Sequence, residues 1–272
     1  MEGEYIQQRL LPKLVAEQCK MLGVECVSFS ADWMLRLKKN DDSQWVIGYH
    51  FDINAAAASL IAKDKVAAYL ALSAAGVPAV AHYLVKSTGS QKVPFADISL
   101  LSNEAEYVMK PLYGTSGYGI LKHPSLSDAI EVIRDQQGEW AVSPYLTIIL
   151  EKRCIVLDGN ILCSYVKQAP SRTGDMVFYN LGRGAIPVDE PATQRERELA
   201  VQGARACGLR LAAVDIVTLE SGEQRVLEVN SGIMMEHYAR RSADNYERAS
   251  QVYRAIVQGM FPVSQKCVNI ND

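Results

Sequence analysis

The chain has 272 residues, of which 49% are hydrophobic and 22% are charged, and its formal net charge is −3. This length exceeds a typical single hydrophobic core, so two or three packed subdomains are expected. The slightly acidic balance excludes the broad basic surface by which proteins hold nucleic acid, and the ordinary composition indicates a globular protein.

The six cysteines are scattered, without a C-x-x-C pair or the spacing of a zinc finger, which favours reduced thiols over disulfides or a metal centre. The N-terminus reads Met-Glu-Gly-Glu-Tyr, which is acidic where a signal peptide would be basic and apolar. No apolar run approaches the length that spans a membrane. We therefore expect a cytoplasmic protein that contacts neither a membrane nor nucleic acid.

Residues 1–62 predict a short α/β subdomain. Apolar residues at helical spacing indicate a helix over 10–22, and a short strand over 24–29 follows it. The polar stretch 38–44 is interpreted as a loop, and 45–49 as another strand. This segment carries no complete nucleotide-binding fingerprint.

The alanine-rich segment 54–75 is predicted to be helical, and Asp64 and Lys65 stand at the start of its long helix over 66–75. A later strand ends at Lys110, where a proline follows, and a glycine-rich loop comes next. Glycines let a backbone approach a phosphate closely, and the preceding lysine supplies a point charge. The loop lacks the lysine of a Walker sequence and does not match G-x-G-x-x-G, so a plain hairpin remains an equal alternative.

Two antiparallel strands are predicted over 150–157 and 161–167, joined by an Asp-Gly-Asn turn. Arg153 and Lys167 lie on these strands between apolar residues, which is also the pattern of a solvated sheet face. Before them, Pro144-Tyr145-Leu146 marks a hinge where main-chain groups would hold an adenine ring.

The stretch 211–233 predicts a second hairpin, with a turn at Ser221-Gly222. Glu228 and Asn230 share one face of their strand, and Asp215 projects away from its apolar neighbours on the partner strand. If these faces coincide, three oxygen-bearing side chains converge, and buried carboxylates need a cation such as Mg²⁺. The alternative is a solvated hairpin with ordinary surface acids.

The order of these features resembles the ATP-grasp superfamily, and within it the branch of ribosomal-protein glutamate ligases and related carboxylate–amine ligases. The resemblance covers about residues 61–260. It implies an α/β (α+β) fold in which two α/β lobes, at 63–143 and 144–272, sandwich ATP. A shortened N-terminal α/β subdomain precedes these lobes.

The resemblance also implies a role for each candidate residue. The phosphates of ATP would be held by Lys65 and Lys110 and covered by Thr115, Ser116, Gly117 and Tyr118. Adenine would contact the main chain of Tyr145 and Leu146. Two Mg²⁺ ions, with Mn²⁺ as an alternative, would be bound by Asp215, Glu228 and Asn230. The transferring phosphoryl group and its cavity would be lined by Arg153, Lys167, Asn180 and Arg183.

The implied function is ATP-dependent formation of an amide bond, through an acyl phosphate, on a small amino acid or peptide substrate. A phosphotransferase and a non-catalytic nucleotide-binding module are the alternatives, and a homodimer is common among relatives. Three stretches depart from the family pattern. Val142-Ser143-Pro144 stands where an acidic residue usually precedes the adenine contacts, and Glu151-Lys152 precedes Arg153, with Lys152 where the family often has Asp. The segment 231–241 replaces a run of small residues and proline. In the last stretch, Arg240 and Arg241 either bind a substrate carboxylate or form a solvated basic pair.

Overall fold

The computed structural model of the chain describes residues 8–87, 106–113, 119–123, 125–135, 138–168, 171–173 and 176–262. Its helices are α1 (Leu11–Leu22), α2 (Ala56–Lys63), α3 (Lys65–Ala74), α4 (Leu126–Asp135), α5 (Gln194–Ala206), α6 (Glu236–Ala239) and α7 (Ala243–Met260). Its strands are β1 (Glu25–Phe29), β2 (Met34–Lys39), β3 (Asp42–Ile47), β4 (His50–Phe51), β5 (Tyr83–Ser87), β6 (Tyr107–Pro111), β7 (Leu121–His123), β8 (Gly138–Pro144), β9 (Ile148–Leu157), β10 (Asn160–Gln168), β11 (Ser171–Thr173), β12 (Met176–Phe178), β13 (Ile186–Asp189), β14 (Leu211–Leu219) and β15 (Gln224–Asn230). This mixture confirms the expected α/β class.

The chain divides into two compact units. One is formed by Asn54–Ile233, and the other by Ile6–Ile53 together with Met234–Asp272. Helix α7 packs against α1, so it groups with the N-terminal residues and not, as the sequence division had it, with the strands that follow residue 144. Its amphipathic pattern shows an apolar face but does not identify the partner of that face. The lobe boundary between residues 143 and 144 stays a prediction.

A five-stranded antiparallel sheet with the order β13-β10-β9-β14-β15 dominates the larger unit. One face packs against α2, α3 and α5 through a core that includes Leu72, Cys154, Leu199, Val214 and Val229. Successive side chains of a strand point to opposite faces of its sheet. The residues next to these core positions therefore form a second face, which the helices do not cover.

A four-stranded antiparallel sheet with the order β5-β8-β6-β7 lies in the same unit. Helix α4 covers it with Ile133, which packs on Val85, Met109, Trp140 and Val142. This core fixes β6, so the residues at the end of that strand are held on a rigid support.

The smaller unit contains an antiparallel sheet with the order β1-β2-β3-β4 together with α1, α6 and α7. The predicted loop over 38–44 was wrong, because β2 and β3 occupy most of it and only a tight turn separates them. Asn40 adopts a positive φ of 54° in that turn, a conformation that asparagine tolerates better than most residues.

The segment 54–75 forms two helices, because Asp64 separates them with an extended backbone, and the predicted helix start at Asp64-Lys65 is confirmed. The Asp64 carboxylate accepts hydrogen bonds from the amides of Val66 and Ala67, both at 2.9 Å, and so caps α3. This break places Lys65 at the first position of a helix. None of the helices in the described part of the chain is long and apolar enough to cross a membrane.

Candidate active site

A row of polar side chains lies on the face of the five-stranded sheet opposite to the one that packs on α2, α3 and α5. Tyr165 on β10 lies opposite Arg153 on β9, and Arg153 lies opposite Asp215 on β14. Asp215 in turn lies opposite Glu228 on β15, and Asn230 follows two positions later on that strand. Residues that are paired in register are close neighbours on one face. Strand pairing alone therefore brings the predicted metal residues beside Arg153.

Asp215 is bound by two cationic side chains. Arg153 donates from Nε to Oδ1 at 2.8 Å and from Nη2 to Oδ2 at 2.7 Å, which is a two-pronged contact. Lys167 Nζ lies 2.9 Å from Asp215 Oδ1. Lys167 is only 4% exposed, so its strand does not present a solvated face here, and the cluster is a buried one.

The cations keep Asp215 ionised. Burial raises the pKa of this carboxyl, but Arg153 and Lys167 together lower it to about 2. Burial and the charge of Arg153 would lower the pKa of Lys167, yet Asp215 and Glu151 raise it overall. All three side chains therefore carry full charge at neutral pH, and the cluster offers charges in fixed positions.

Glu151 is a member of this cluster whose role the sequence did not reveal. Its Oε1 accepts a hydrogen bond from Lys167 Nζ, and it is 7% exposed. Burial raises its pKa, which Lys167 opposes and Asp215 reinforces. A signal was available, because Glu151 stands two positions before Arg153 and so shares its strand face.

Lys65 extends from the first turn of α3, where the Asp64 cap fixes the backbone. Its Nζ donates to the carbonyl of Leu112, 3.4 Å away, just beyond β6. Burial lowers its pKa, and the negative charges of Glu228 and Asp64 oppose this shift. The structure therefore links the start of α3, the end of β6 and the carboxylate of β15.

Lys110 is the next-to-last residue of β6. Burial lowers its pKa, Glu228 opposes that shift, and the nearby charge of Lys65 adds to it. The two lysines thus repel each other and share Glu228 as a neighbouring counter-charge. A polyanion placed between them would offset both the cost of burying two positive charges and the repulsion between those charges.

The glycine-rich loop after β6 is described only at its ends. Thr115, Ser116, Gly117 and Tyr118 lie outside the described residues. Gly119 has φ +70°, and a Cβ built on it would lie 2.9 Å from Pro111 Cγ. This approach requires glycine, and it returns the chain to the strand end next to Lys110.

The donor set suits Mg²⁺ through oxygen atoms of two kinds. Glu228 supplies a carboxylate, and the buried side-chain amide nitrogen of Asn230 has no hydrogen-bond partner among the described residues. Within that same part of the chain, no group of three or more His, Cys, Asp or Glu residues is arranged to hold a metal. A hard cation that is also bound by phosphate oxygens would take the carboxylate of Glu228 and the side-chain amide oxygen of Asn230.

Some backbone groups of the hinge after β8 already form hydrogen bonds with neighbouring segments. The amide of Tyr145 donates to the carbonyl of Glu106 at 2.8 Å, and the carbonyl of Thr147 accepts from the amide of Glu220 at 3.0 Å. The ring of Tyr145 also lies 3.9 Å below Lys122 Nζ. An adenine contact of the expected kind would therefore use the amide of Leu146 and not that of Tyr145.

Asn180 occupies the N-cap position of a short 3-10 helix, Leu181–Arg183, that ends with Arg183 and precedes β13. The Asn180 carbonyl accepts from the amides of Arg183 and Ala185 at 2.9 and 3.2 Å. Both side chains are half-buried, and β13 pairs with β10, the strand of Lys167. Their contact with a phosphoryl group stays a prediction.

The departing segment 231–241 has a structural role in the smaller unit. Glu236 is 2% exposed and accepts from the amides of Leu10 and Leu11 at the start of α1, at 2.7 and 3.1 Å. Arg240 lies 3.5 Å from Glu236 and donates to the carbonyl of Gln8 at 2.6 Å. Arg240 and Arg241 are both exposed, as in the solvated basic pair, and Arg240 also contacts the backbone of this unit; binding of a substrate carboxylate stays a prediction.

Curated relatives match about two thirds of the chain. A probable alpha-L-glutamate ligase of Psychromonas ingrahamii is 31% identical over 193 residues, which are 68% of this chain and 61% of that protein. The corresponding protein of Xanthomonas oryzae pv. oryzae is 30% identical over 183 residues, or 65% of this chain and 59% of the relative. The chain thus spans about 60% of the length of these relatives.

Solved structures share the fold at low identity. A bifunctional glutathione synthetase from Pasteurella multocida superposes with a TM-score of 0.61 and 17% identity, over 94% of this chain and 44% of that one. D-alanine–D-alanine ligase from Bacillus anthracis gives 0.56 and 18%, over 76% and 70% of the two chains. The family model of the RimK-like ATP-grasp domain matches residues 62–256, which include the whole row of polar side chains on the five-stranded sheet. The chain therefore belongs to the RimK-like ATP-grasp family.

Proposed function

We propose that the chain is an ATP- and Mg²⁺-dependent ligase that joins a carboxylate to an amine. The observation that carries this proposal is the position of Glu228 between two groups of cations. Lys65 and Lys110 approach it from α3 and β6, and the Arg153–Asp215 pair lies beside it on the sheet. Phosphoryl transfer requires positioned charge more than a nucleophilic side chain, and this arrangement supplies it.

The balance of charges at this site favours binding of a polyanion. The cluster holds one more positive than negative side chain, counting Lys65, Lys110, Arg153 and Lys167 against Glu151, Asp215 and Glu228. Bound ATP would make the net charge of the site negative. Mg²⁺ bound by Glu228, Asn230 and Asp215 would offset that negative charge. Mn²⁺ takes similar oxygen ligands and would serve as a substitute.

In the proposed reaction, a carboxylate oxygen attacks the terminal phosphorus of ATP and ADP leaves, which gives an acyl phosphate. An amine then attacks the acyl carbon, phosphate leaves, and an amide bond has formed. Arg153 and Lys167 would hold the phosphoryl oxygens, with Asn180 and Arg183 on the same side. The names of the relatives make L-glutamate the first amino acid to test, with peptides as the second class of substrate.

The test is a screen of ADP release with ATP, Mg²⁺ and pairs of carboxylates and amines. Release that requires both partners supports a ligase, whereas release that requires only an alcohol would replace it with a phosphotransferase. Lys110→Met should abolish release. Lys86→Met is the matched control, because Lys86 is an exposed lysine of the same sheet that pairs with Glu139.

A homodimer is proposed from the resemblance alone, and light scattering tests it.

A further inference from the structure

His82 is a buried histidine that lies close to the two lysines. It is 4% exposed and precedes β5, in the segment that joins α3 to that strand. This segment is fastened to β15, because the amide of Val80 donates to the carbonyl of Val226 and the amide of Val226 donates to that of Pro78, both at 2.9 Å. The position of His82 is therefore fixed relative to the strand that carries Glu228.

The hydrogen bond of the ring defines its tautomer. His82 Nδ1 lies 2.9 Å from the carbonyl oxygen of Val80. A carbonyl only accepts, so Nδ1 carries the proton, and a neutral ring then has its lone pair on Nε2. Burial, followed by the charges of Lys110 and Lys65, lowers the pKa of His82 to about 3. The imidazole is therefore neutral at physiological pH and can act as an acceptor.

The ring also lines a small cavity between α3 and β15. Lys65 and Glu228 line the same cavity, together with the apolar side chains of Val80 and Leu227. A neutral acceptor here adds no third positive charge beside two lysines that already repel each other. A lone pair in this cavity offers an acceptor to an ammonium group that approaches it.

We propose that His82 is a positioning residue that keeps the ammonium group of Lys65, which lines the same cavity, directed toward the phosphates of ATP. This inference rests on the proposed function, since it assigns the lysines to phosphate. It involves no proton transfer by His82, and it predicts that the distal ring nitrogen, not the bond to Val80, determines nucleotide affinity.

Two variants separate these parts of the ring. His82→Asn keeps a donor for the Val80 carbonyl but has no acceptor at the place of Nε2, whereas His82→Gln places an amide oxygen there. We expect Mg–ATP affinity, measured by titration calorimetry, to fall about tenfold in His82→Asn and to stay within about twofold in His82→Gln. Adenosine affinity should be the same in both, because the lysines act only on phosphates.

The outcomes are distinct. Equal loss of ATP and adenosine affinity in both variants, or wild-type ATP affinity in His82→Asn, would overturn the role of His82 while leaving the ligase in place. A wild-type chain that binds no Mg–ATP would overturn the proposed function and this inference together. Thermal unfolding of each variant shows that the comparison concerns folded protein, and a His82→Asn variant that unfolds while His82→Gln binds normally also contradicts the assignment.

Discussion

Single charged residues in the sheet depend on their partners. Asp215 is almost fully buried, and a carboxylate in such a place is stable only because Arg153 and Lys167 contact it. The same contact orients the two cations. Removing one member of such a set leaves its neighbours as unpaired buried charges, which costs more than the bond itself.

Asp215→Asn should therefore destabilise the protein by about 3 kcal/mol or more, because Arg153 and Lys167 lose their shared counter-charge. Urea denaturation measures this loss. Asp158→Asn is the matched control, since Asp158 forms a similar two-pronged pair with Arg210 but is 45% exposed, and it should cost less than about 1 kcal/mol. Equal effects of the two substitutions would show that the buried cluster is not energetically special.

The lysines predict a pH dependence with two opposite signs. Their pKa values are lowered from 10.5, so in the folded chain Lys65 and Lys110 lose their protons before they would in the unfolded chain. As pH rises through the lowered pKa values, folding stability should increase, because the unfolded state then binds more protons. ATP affinity should decrease over the same range, because phosphate loses its cationic partners.

Calorimetric titrations and denaturation curves between about pH 7 and about pH 10 test this pair of signs. Lys110→Met provides the control, since it should flatten both curves. An ATP affinity that stays constant up to the ordinary pKa of lysine would contradict the placement of the two ammonium groups on phosphate.

Helix α5 is fixed to the sheet by a buried ion pair at its first turn. Thr193 and Glu196 form a reciprocal capping box, and Lys152 on β9 donates to Glu196 at 2.8 Å and to Glu190 at 2.7 Å. Lys152 is 1% exposed. It lies on the helix-covered face of β9, opposite to the face of Arg153, so one strand supports both the core and the site.

Lys152→Met should destabilise the chain by about 3 kcal/mol, because Glu196 remains buried without a counter-charge. Adding Glu196→Gln should restore part of that loss, since the amide oxygen still accepts from the amide of Thr193. Lys13→Met, at an exposed pair with Glu17, serves as the control and should change stability by less than about 1 kcal/mol. A double variant no more stable than the single one would refute the unpaired-charge explanation.

Patterns along the sequence predicted the hairpin of β14 and β15 because alternation places Glu228 and Asn230 on one face. They did not predict that Asp215 binds Arg153, since the two residues are 62 positions apart and only strand order brings them together. The helix start at Asp64-Lys65 was predicted, but not the cap that the Asp64 carboxylate forms on the first amides of α3. His82 gave no signal, because its burial depends on a segment that pairs with β15.

At the scale of the molecule, the chain consists of one unit with the charged row and a second built from both ends of the sequence. Within the second unit, α1 begins without a side-chain cap of its own, and Glu236 supplies the acceptor from far along the chain. The unit is therefore closed by a contact that a truncation of either end would remove.

Glu236→Gln should loosen the second unit alone, by about 1–3 kcal/mol, because an amide replaces one of two acceptors facing buried N–H groups. Hydrogen exchange should quicken in α1 and stay unchanged in the strands of Asn54–Ile233. The control is Glu247→Gln, at an exposed position of α7. Faster exchange throughout the chain would show that the units do not unfold separately.

The cap at Asp64 also decides how an anion can be held at α3. Its carboxylate already neutralises the amides of Val66 and Ala67, which are the fixed donors that a helix start usually offers to phosphate. The remaining attraction comes from Lys65, whose ammonium sits on four rotatable carbons. Under the proposed function, an anion at α3 would therefore be held by the side chain of Lys65 and not by the amides of Val66 and Ala67.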